Sequence, residues 1–188
     1  MRLTERAHLV LSEFVQEGDL AIDATAGNGH DTLKLTQLVS PNGHVYAIDL
    51  QEEAINTTWN RLEAQNALRN CTLIHGDHSQ ALQDLVVEQQ SQVTAIIFNL
   101  GYLPGADKRI HTKPDTTLQA LETSAGLLKS GGLLCVTAYR GHGGGIEEAN
   151  VVADWIQKKT VNGWQTQSYE PDKPTKEIPP ILWTTVKA

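Results

Sequence analysis

Ala21-Ile-Asp-Ala-Thr-Ala-Gly-Asn-Gly-His-Asp31, followed by Val45-Tyr-Ala-Ile-Asp49, decides the fold. A short apolar strand runs into a glycine turn, the turn opens a helix, and a second apolar strand ends on an acid. This spacing brings a flexible loop and the Asp49 carboxylate to one edge of a parallel sheet. A ligand with a ribose and a compact charged arm can lie across that edge.

Upstream, Leu3, Ala7, Val10, Leu11 and Phe14 mark one face of an opening helix, with Thr4 as its expected N-cap. Downstream, strands are expected at Leu20 to Thr25, His44 to Leu50, Cys71 to His75, Val93 to Leu100 and Leu133 to Tyr139. Helices fall between them. Gln51 to Leu68 carries Ala54, Ile55, Trp59 and Leu62 on one face, and Ser79 to Glu88 is shorter. A helix capped by Asp115 turns Leu118, Leu121, Ala125 and Leu128 inward and stops at Ser130-Gly131-Gly132. The last helix holds Ile146, Ala149, Ala153 and Ile156. Trp164 to Tyr169 and Ile181 to Val186 then close the chain as strands with no helix between them.

Alternating strands and helices imply a parallel sheet covered on both faces, and a terminal strand pair joined by a loop can pair antiparallel at the edge. A single α/β domain over residues 1–188 is expected, with a seven-stranded, mostly parallel sheet, helices on both faces and an antiparallel edge strand. This arrangement is Rossmann-like and resembles the class I S-adenosylmethionine-dependent methyltransferase fold.

The bulk numbers suit a globular domain: 188 residues, 40% hydrophobic and 20% charged. The chain has no apolar run of the roughly 20 residues a bilayer requires, and Arg2, Glu5, Arg6 and His8 argue against a secretory leader. With two cysteines, Cys71 and Cys135, both in strand-like apolar runs, a cytoplasmic location is expected. A net charge of −7 argues against a general nucleic-acid coat but leaves room for a local basic patch. Lys108, Arg109, His111 and Lys113 cluster in sequence, and Lys173 and Lys176 form a smaller group.

Three ligand classes compete for the glycine edge. A dinucleotide asks for a third glycine where Thr32 stands, and a phosphate loop asks for Gly-Lys-Ser/Thr, which is absent. S-adenosylmethionine carries no phosphate. Its methionyl arm suits the backbone of Gly27, Asn28 and Gly29, with Asp23 and Asp31 toward the ammonium. Asp49 suits the ribose hydroxyls, Asp77 the adenine amino group, and Asn99 the sulfonium. His75, Asp77 and His78 lie too close together, without a second ligand cluster, to build a four-donor zinc site, and no metal is expected.

Phe98-Asn-Leu-Gly-Tyr-Leu-Pro-Gly105 follows the most apolar strand. Its Asn-x-x-Tyr outline looks like the Asn-Pro-Pro-Tyr element of amino-group methyltransferases, with Leu100-Gly101 in place of the prolines. An asparagine oxygen can accept an amine hydrogen and so aim the nitrogen lone pair. Tyr102 can stack on a base or pack as core. Asn99 can equally close its own turn. Tyr139-Arg-Gly-His142 reaches the same edge, where His142 either handles substrate or is a solvated loop residue.

The whole chain resembles the bacterial tRNA 5-(aminomethyl)-2-thiouridine methyltransferases, long catalogued as rRNA methylases. The matching stretches are Asp23 to Asp31, Asp49 to Ala54, Phe98 to Gly105 with Asp107-Lys108, Lys113 to Thr117, and Pro179-Pro180. Arg140 departs from the family's Tyr-His-Gly-His run, and His75-Gly-Asp-His78 from its Ser-His pattern. The resemblance implies methyl transfer to the exocyclic amine of 5-aminomethyl-(2-thio)uridine at the tRNA wobble position. The expected catalytic residues are Asn99 and Tyr102. Expected cofactor contacts are Asp23, Gly27, Asn28, Gly29, Asp31, Asp49, Gln51, Asp77, His78 and Asn99. Expected substrate contacts are Tyr102, Lys108, Arg109, His111, Lys113, Tyr139 and His142, the basic ones toward phosphates of the anticodon region. No membrane partner is expected, and the sequence leaves room for a homodimer. The alternative reading is a methyltransferase acting on rRNA or on a small-molecule amine.

Overall fold

The computed structural model describes residues 1–103, 105, 110–171 and 178–188. Helix α1 (Leu3–Phe14) leads into β1 (Leu20–Asp23), α2 (His30–Val39), β2 (His44–Asp49), α3 (Glu52–Glu63) and, after a single 3-10 turn, β3 (Cys71–His75). The chain continues through α4 (His78–Gln89), β4 (Val93–Leu100), α5 (Pro114–Leu127), β5 (Leu128–Ala138), α6 (Gly145–Val161), β6 (Gln165–Tyr169) and β7 (Ile181–Val186).

One seven-stranded sheet runs in the order β3-β2-β1-β4-β5-β7-β6. The first five strands pair parallel. The antiparallel pairing expected at that edge is present: β7 is the reversed strand, set between β5 and β6. Because the sheet grows from β1 outward to β3 and then restarts at β4, a crevice opens beyond the C-terminal ends of β1 and β4, the place where open α/β sheets bind ligands.

Alternate side chains of the central strands enter two separate cores. Ile22, Ile48, Ile96 and Phe98 face α4, α5 and α6. Ala21, Val45, Ala95, Ile97 and Cys135 face α1 and α2. Burying Ile96, Ile97 and Phe98 contributes about 1.5–3 kcal/mol for each side chain. The sheet is therefore a rigid base for the residues at its rim. Among the described residues, no helix is long and apolar enough to cross a membrane.

Several local expectations change. Helix α1 begins one residue before Thr4, and its first turn is closed by Glu5, whose carboxylate accepts from the Arg2 backbone amide at 3.0 Å and from Arg2 Nε at 2.8 Å. Helix α5 ends at Leu127, and Ser130-Gly131-Gly132 lies inside β5 beside a bulge. Gly131 has φ +75° there, and its amide donates to Lys187 O at 2.9 Å. The glycines bend the strand and do not stop the helix. Trp59 and Leu118, both expected to point inward, are exposed.

Candidate active site

Backbone bonds hold the turn after β1 against both neighbouring strands: Ala24 N donates to Ile97 O (2.9 Å) and Ala26 N to Ile48 O (2.8 Å). Gly27 and Gly29 take φ +54° and +74°, a region side-chain-bearing residues rarely adopt. A Cβ on Gly29 would stand 2.9 Å from Thr58 Cα, so glycine is also required for the turn to touch α3. Thr58 Oγ1 donates to Gly27 O (3.2 Å), and Arg61 Nε donates to Asn28 O (2.6 Å). The turn is thereby clamped from α3.

Asp49 ends β2 and braces the same turn. Its carboxylate accepts from Gly27 N (2.8 Å) and Gln51 N (2.9 Å). Burial pushes it above the ordinary carboxylate range, against the pull of these two bonds. A carboxylate has about four acceptor positions, so two remain for further donors such as vicinal hydroxyls.

Asp23 is fully buried at the end of β1. Thr32 Oγ1 donates to it at 2.6 Å and Thr25 N at 3.2 Å. Desolvation first, and the charge of Asp31 second, push Asp23 up to about 7. Both of its hydrogen-bond donors are neutral, so the carboxylate is electrostatically suited to a cation.

Asp31, in the first turn of α2, lies between two partners. Asn99 Nδ2 donates to Oδ2 at 2.7 Å, and His8 Nε2 from α1 meets Oδ1 at 2.5 Å. The Asn99 backbone amide donates to Thr25 Oγ1 (2.6 Å), tying the end of β4 to the glycine turn. Strand ends β1 and β4 and helices α1 and α2 thus meet at one polar knot on the rim. Tyr139, after β5, is 42% exposed, and partial desolvation first and the Asp31 charge second push its hydroxyl above the ordinary phenol range.

Three rings gather beside it. Tyr102 and His142 lie edge to face with centroids 5.8 Å apart, and His111 and His142 are 5.3 Å apart. The Tyr102–His111 bridge closes the base of the loop after β4, supported by Thr112 N donating to Gly101 O at 2.9 Å. His142 Nδ1 lies 3.0 Å from Gly143 O. Its Nε2 is buried and has no hydrogen-bond partner among the described residues. Lys113 is exposed at the N-terminus of α5. Lys108 and Arg109, like Lys173 and Lys176, lie outside the described residues.

On the β3 side, Asp77 caps α4. Its Oδ1 accepts from Ser79 N (2.8 Å) and from the Ser79 hydroxyl. Desolvation opposes these bonds, which together still hold Asp77 below the usual range. Its Oδ1 is therefore committed to the cap. The His78 ring is buried edge to face on Phe98, and burial lowers its basicity. His75 Nε2 turns away to Leu50 O (3.1 Å). Arg140 fastens the closing loop, donating to Pro179 O (2.6 Å) and Glu170 Oε1 (2.7 Å).

Two contributors were missed in the sequence. His8 sits beside the apolar stripe of α1, with nothing in the local pattern to mark it. Glu148 of α6 is buried and accepts from Thr112 Oγ1 (2.7 Å) and Thr117 Oγ1 (2.6 Å), anchoring the return of the Tyr102 loop to α5. An acid in helical phase with Val152 and Trp155 is a signal that could have been read.

The chain is 40% identical over 171 residues to "tRNA (mnm(5)s(2)U34)-methyltransferase, chloroplastic" from Arabidopsis thaliana, a match covering 87% of this chain. The chain spans 62% of that relative's length. A crystal structure of a "putative rRNA-methylase" from Clostridium thermocellum superposes with TM-score 0.89 at 36% identity, covering 98% of this chain and 97% of that one. A "putative methyltransferase" from Streptococcus mutans in complex with SAH superposes with TM-score 0.84 at 34% identity, covering 99% and 98%. The fold is thus shared with these two solved structures over nearly the whole chain. A family model described as "Putative rRNA methylase" matches residues 45–185, and the chain belongs to that family, with the class I methyltransferase fold.

Proposed function

We propose that this chain transfers a methyl group from S-adenosylmethionine to the exocyclic amine of 5-aminomethyl-(2-thio)uridine at the tRNA wobble position. The observation that carries the reading is Asn99. Its Nδ2 is committed to Asp31, so its Oδ1 is left to accept from an incoming amine, and the ring group of Tyr102, His111 and His142 lies on the adjoining loops. The similarity to the Arabidopsis tRNA methyltransferase supports the same reading.

The residues present fit the methyl donor. Asp49 keeps acceptor positions for the ribose hydroxyls. Asp23, desolvated and held by neutral donors, suits the methionyl ammonium, and the Gly27–Gly29 turn admits backbone close to the arm. When bound, the donor supplies a methyl group already activated by sulfonium. Asn99 accepts one amine hydrogen and points the nitrogen lone pair along the axis of displacement. The nitrogen–carbon bond forms as the carbon–sulfur bond breaks, its electrons going to sulfur, and the new ammonium gives up a proton to solvent. Holding the partners in such a pose supplies about 7–11 kcal/mol, against roughly 3–5 kcal/mol for a general base. Positioning therefore dominates, and no obligatory base is assigned.

The test is incubation of the protein and labelled S-adenosylmethionine with tRNA carrying 5-aminomethyl-2-thiouridine, beside rRNA and a metabolite extract. Nucleoside mass spectrometry is expected to find the 5-methylaminomethyl product in tRNA. Label confined to rRNA or to small amines overturns the substrate assignment.

A pH dependence follows from Asp23. Its raised value means that the free folded protein retains a proton the unfolded chain loses, so this group's contribution to stability falls as pH rises from about 4 toward 7. The methionyl ammonium favours the ionised form. Affinity for the donor is therefore expected to rise about tenfold between about pH 6 and pH 8, with proton release on binding. Calorimetry in buffers of different ionisation enthalpy checks this, and Asp23→Asn should abolish both the slope and the proton release.

Triple replacement of Lys108, Arg109 and Lys113 by Glu is expected to raise KM for tRNA and flatten the salt dependence of binding, each lost phosphate contact removing about 0.7–0.9 from the log–log slope. An unchanged slope assigns these cations to solvent.

A further inference from the structure

We propose that His8 is a positioning residue for methyl transfer, fixing the rotation of the Asn99 amide through the Asp31 carboxylate that both residues share. The inference rests on the methyl-transfer reading above.

An ionised carboxylate only accepts hydrogen bonds, so each group facing Asp31 must present an N–H. One oxygen takes His8 Nε2 at 2.5 Å and the other takes Asn99 Nδ2 at 2.7 Å. With both oxygens engaged, the carboxylate plane cannot turn without breaking a bond. The amide of Asn99 cannot flip without setting its own oxygen against the carboxylate. The only orientation compatible with both bonds turns Nδ2 to Asp31 and leaves Oδ1 for substrate. The Asn99 backbone is already pinned by its amide donating to Thr25 Oγ1 at 2.6 Å. Side-chain rotation is the freedom that remains, and His8 removes it.

The support is rigid and screened from solvent. Asp31 is 9% exposed, so bulk water competes weakly for its oxygens. His8 rides on α1, which is fastened to the sheet by Leu3, Ala7 and Leu11 in the core shared with Ile97 of β4. An opening helix that contributes no rim loop thereby sets a side chain at the end of the fourth strand. His8 acts through Asp31, with no contact to the reacting atoms required.

The test compares His8→Leu, which removes the donor, with His8→Gln, whose amide can place an N–H near the lost Nε2. His8→Leu is expected to lower kcat about tenfold or more, the scale of a small misplacement in a reacting pair. Affinity for S-adenosylmethionine and KM for tRNA should change by less than about twofold, and His8→Gln should recover most of the lost turnover. In a nitrogen–proton NMR spectrum of the full chain, the Asn99 side-chain amide should give one distinct pair of signals in wild type and His8→Gln. In His8→Leu that pair should collapse toward the positions of free amides. Unchanged kcat or unchanged Asn99 signals in His8→Leu overturns the proposal, as does an equal loss in both variants accompanied by equally lowered thermal stability. If the wild-type protein methylates no tRNA, the function reading fails, and the Asn99 signals alone still decide whether His8 orients that amide.

Discussion

Asp49→Ala is expected to weaken S-adenosylmethionine binding by about 10²-fold or more. Two losses combine. The ribose hydroxyls forfeit bonds to a carboxylate, worth roughly 1.5–3 kcal/mol each where the acceptor is charged. In addition, Gly27 N and Gln51 N lose the acceptor that holds them at 2.8 and 2.9 Å, so the turn that receives the methionyl arm is no longer braced from β2. Asp49→Asn should be almost as damaging. Its amide nitrogen would have to face either Gly27 N–H or Gln51 N–H, donor against donor, in a site where burial already disfavours unpaired polar groups. Titration calorimetry with the methyl donor or its demethylated product measures the effect directly. Affinity unchanged in Asp49→Ala removes Asp49 from the cofactor site and, with it, the assignment of the sheet edge.

Much of this rim was legible because strand ends are local. Asp23, Asp49 and Asn99 each fall in the last residues of an apolar run, and a parallel sheet brings such ends to one edge. The glycine turn was legible for a similar reason, since positive φ is written into residue type. Helix faces were harder. Hydropathy, which counts threonine as polar, turns Trp59 and Leu118 inward. In the fold, Thr58 and Thr117 take the inward positions. Their hydroxyls are satisfied by Gly27 O and Glu148 Oε1, so each helix turns by one residue from the apolar phase. Contacts between distant segments carried no local mark. His8 and Asp31 are 23 residues apart and Thr112 and Glu148 are 36 apart, and in both pairs the polar residue becomes meaningful only once helices have packed. Arg140 belongs with these, its guanidinium closing on Glu170 and Pro179 across 30 and 39 residues.

Asn99→Ala is expected to separate binding from chemistry. The substitution removes the acceptor for the amine but leaves Asp49, Asp23 and the glycine turn intact, so affinity for S-adenosylmethionine should stay within about twofold while kcat falls about 10²-fold, or roughly 2.7 kcal/mol of transition-state stabilisation. Asn99→Asp tests what the side chain must be. If an acceptor oxygen were enough, aspartate would serve, since it accepts at either oxygen. The 2.7 Å bond to Asp31 argues otherwise: a carboxylate there would stand against another carboxylate in a site that already pushes Asp23 up to about 7. Like charges at that distance cannot both ionise. When ionised, the aspartate variant turns away from Asp31 and the lone-pair direction is lost; only its protonated form can donate to Asp31 and keep a carbonyl oxygen for the amine. At alkaline pH, where both carboxylates are driven to ionise, it is therefore expected to be nearly as slow as Asn99→Ala under saturating donor and tRNA. Single-turnover measurements with preformed complexes isolate the step. Wild-type turnover in Asn99→Ala removes the asparagine from the chemistry. Full activity in Asn99→Asp at alkaline pH breaks the link to Asp31, because an amide pinned by that carboxylate cannot be replaced by an ionised carboxylate without cost.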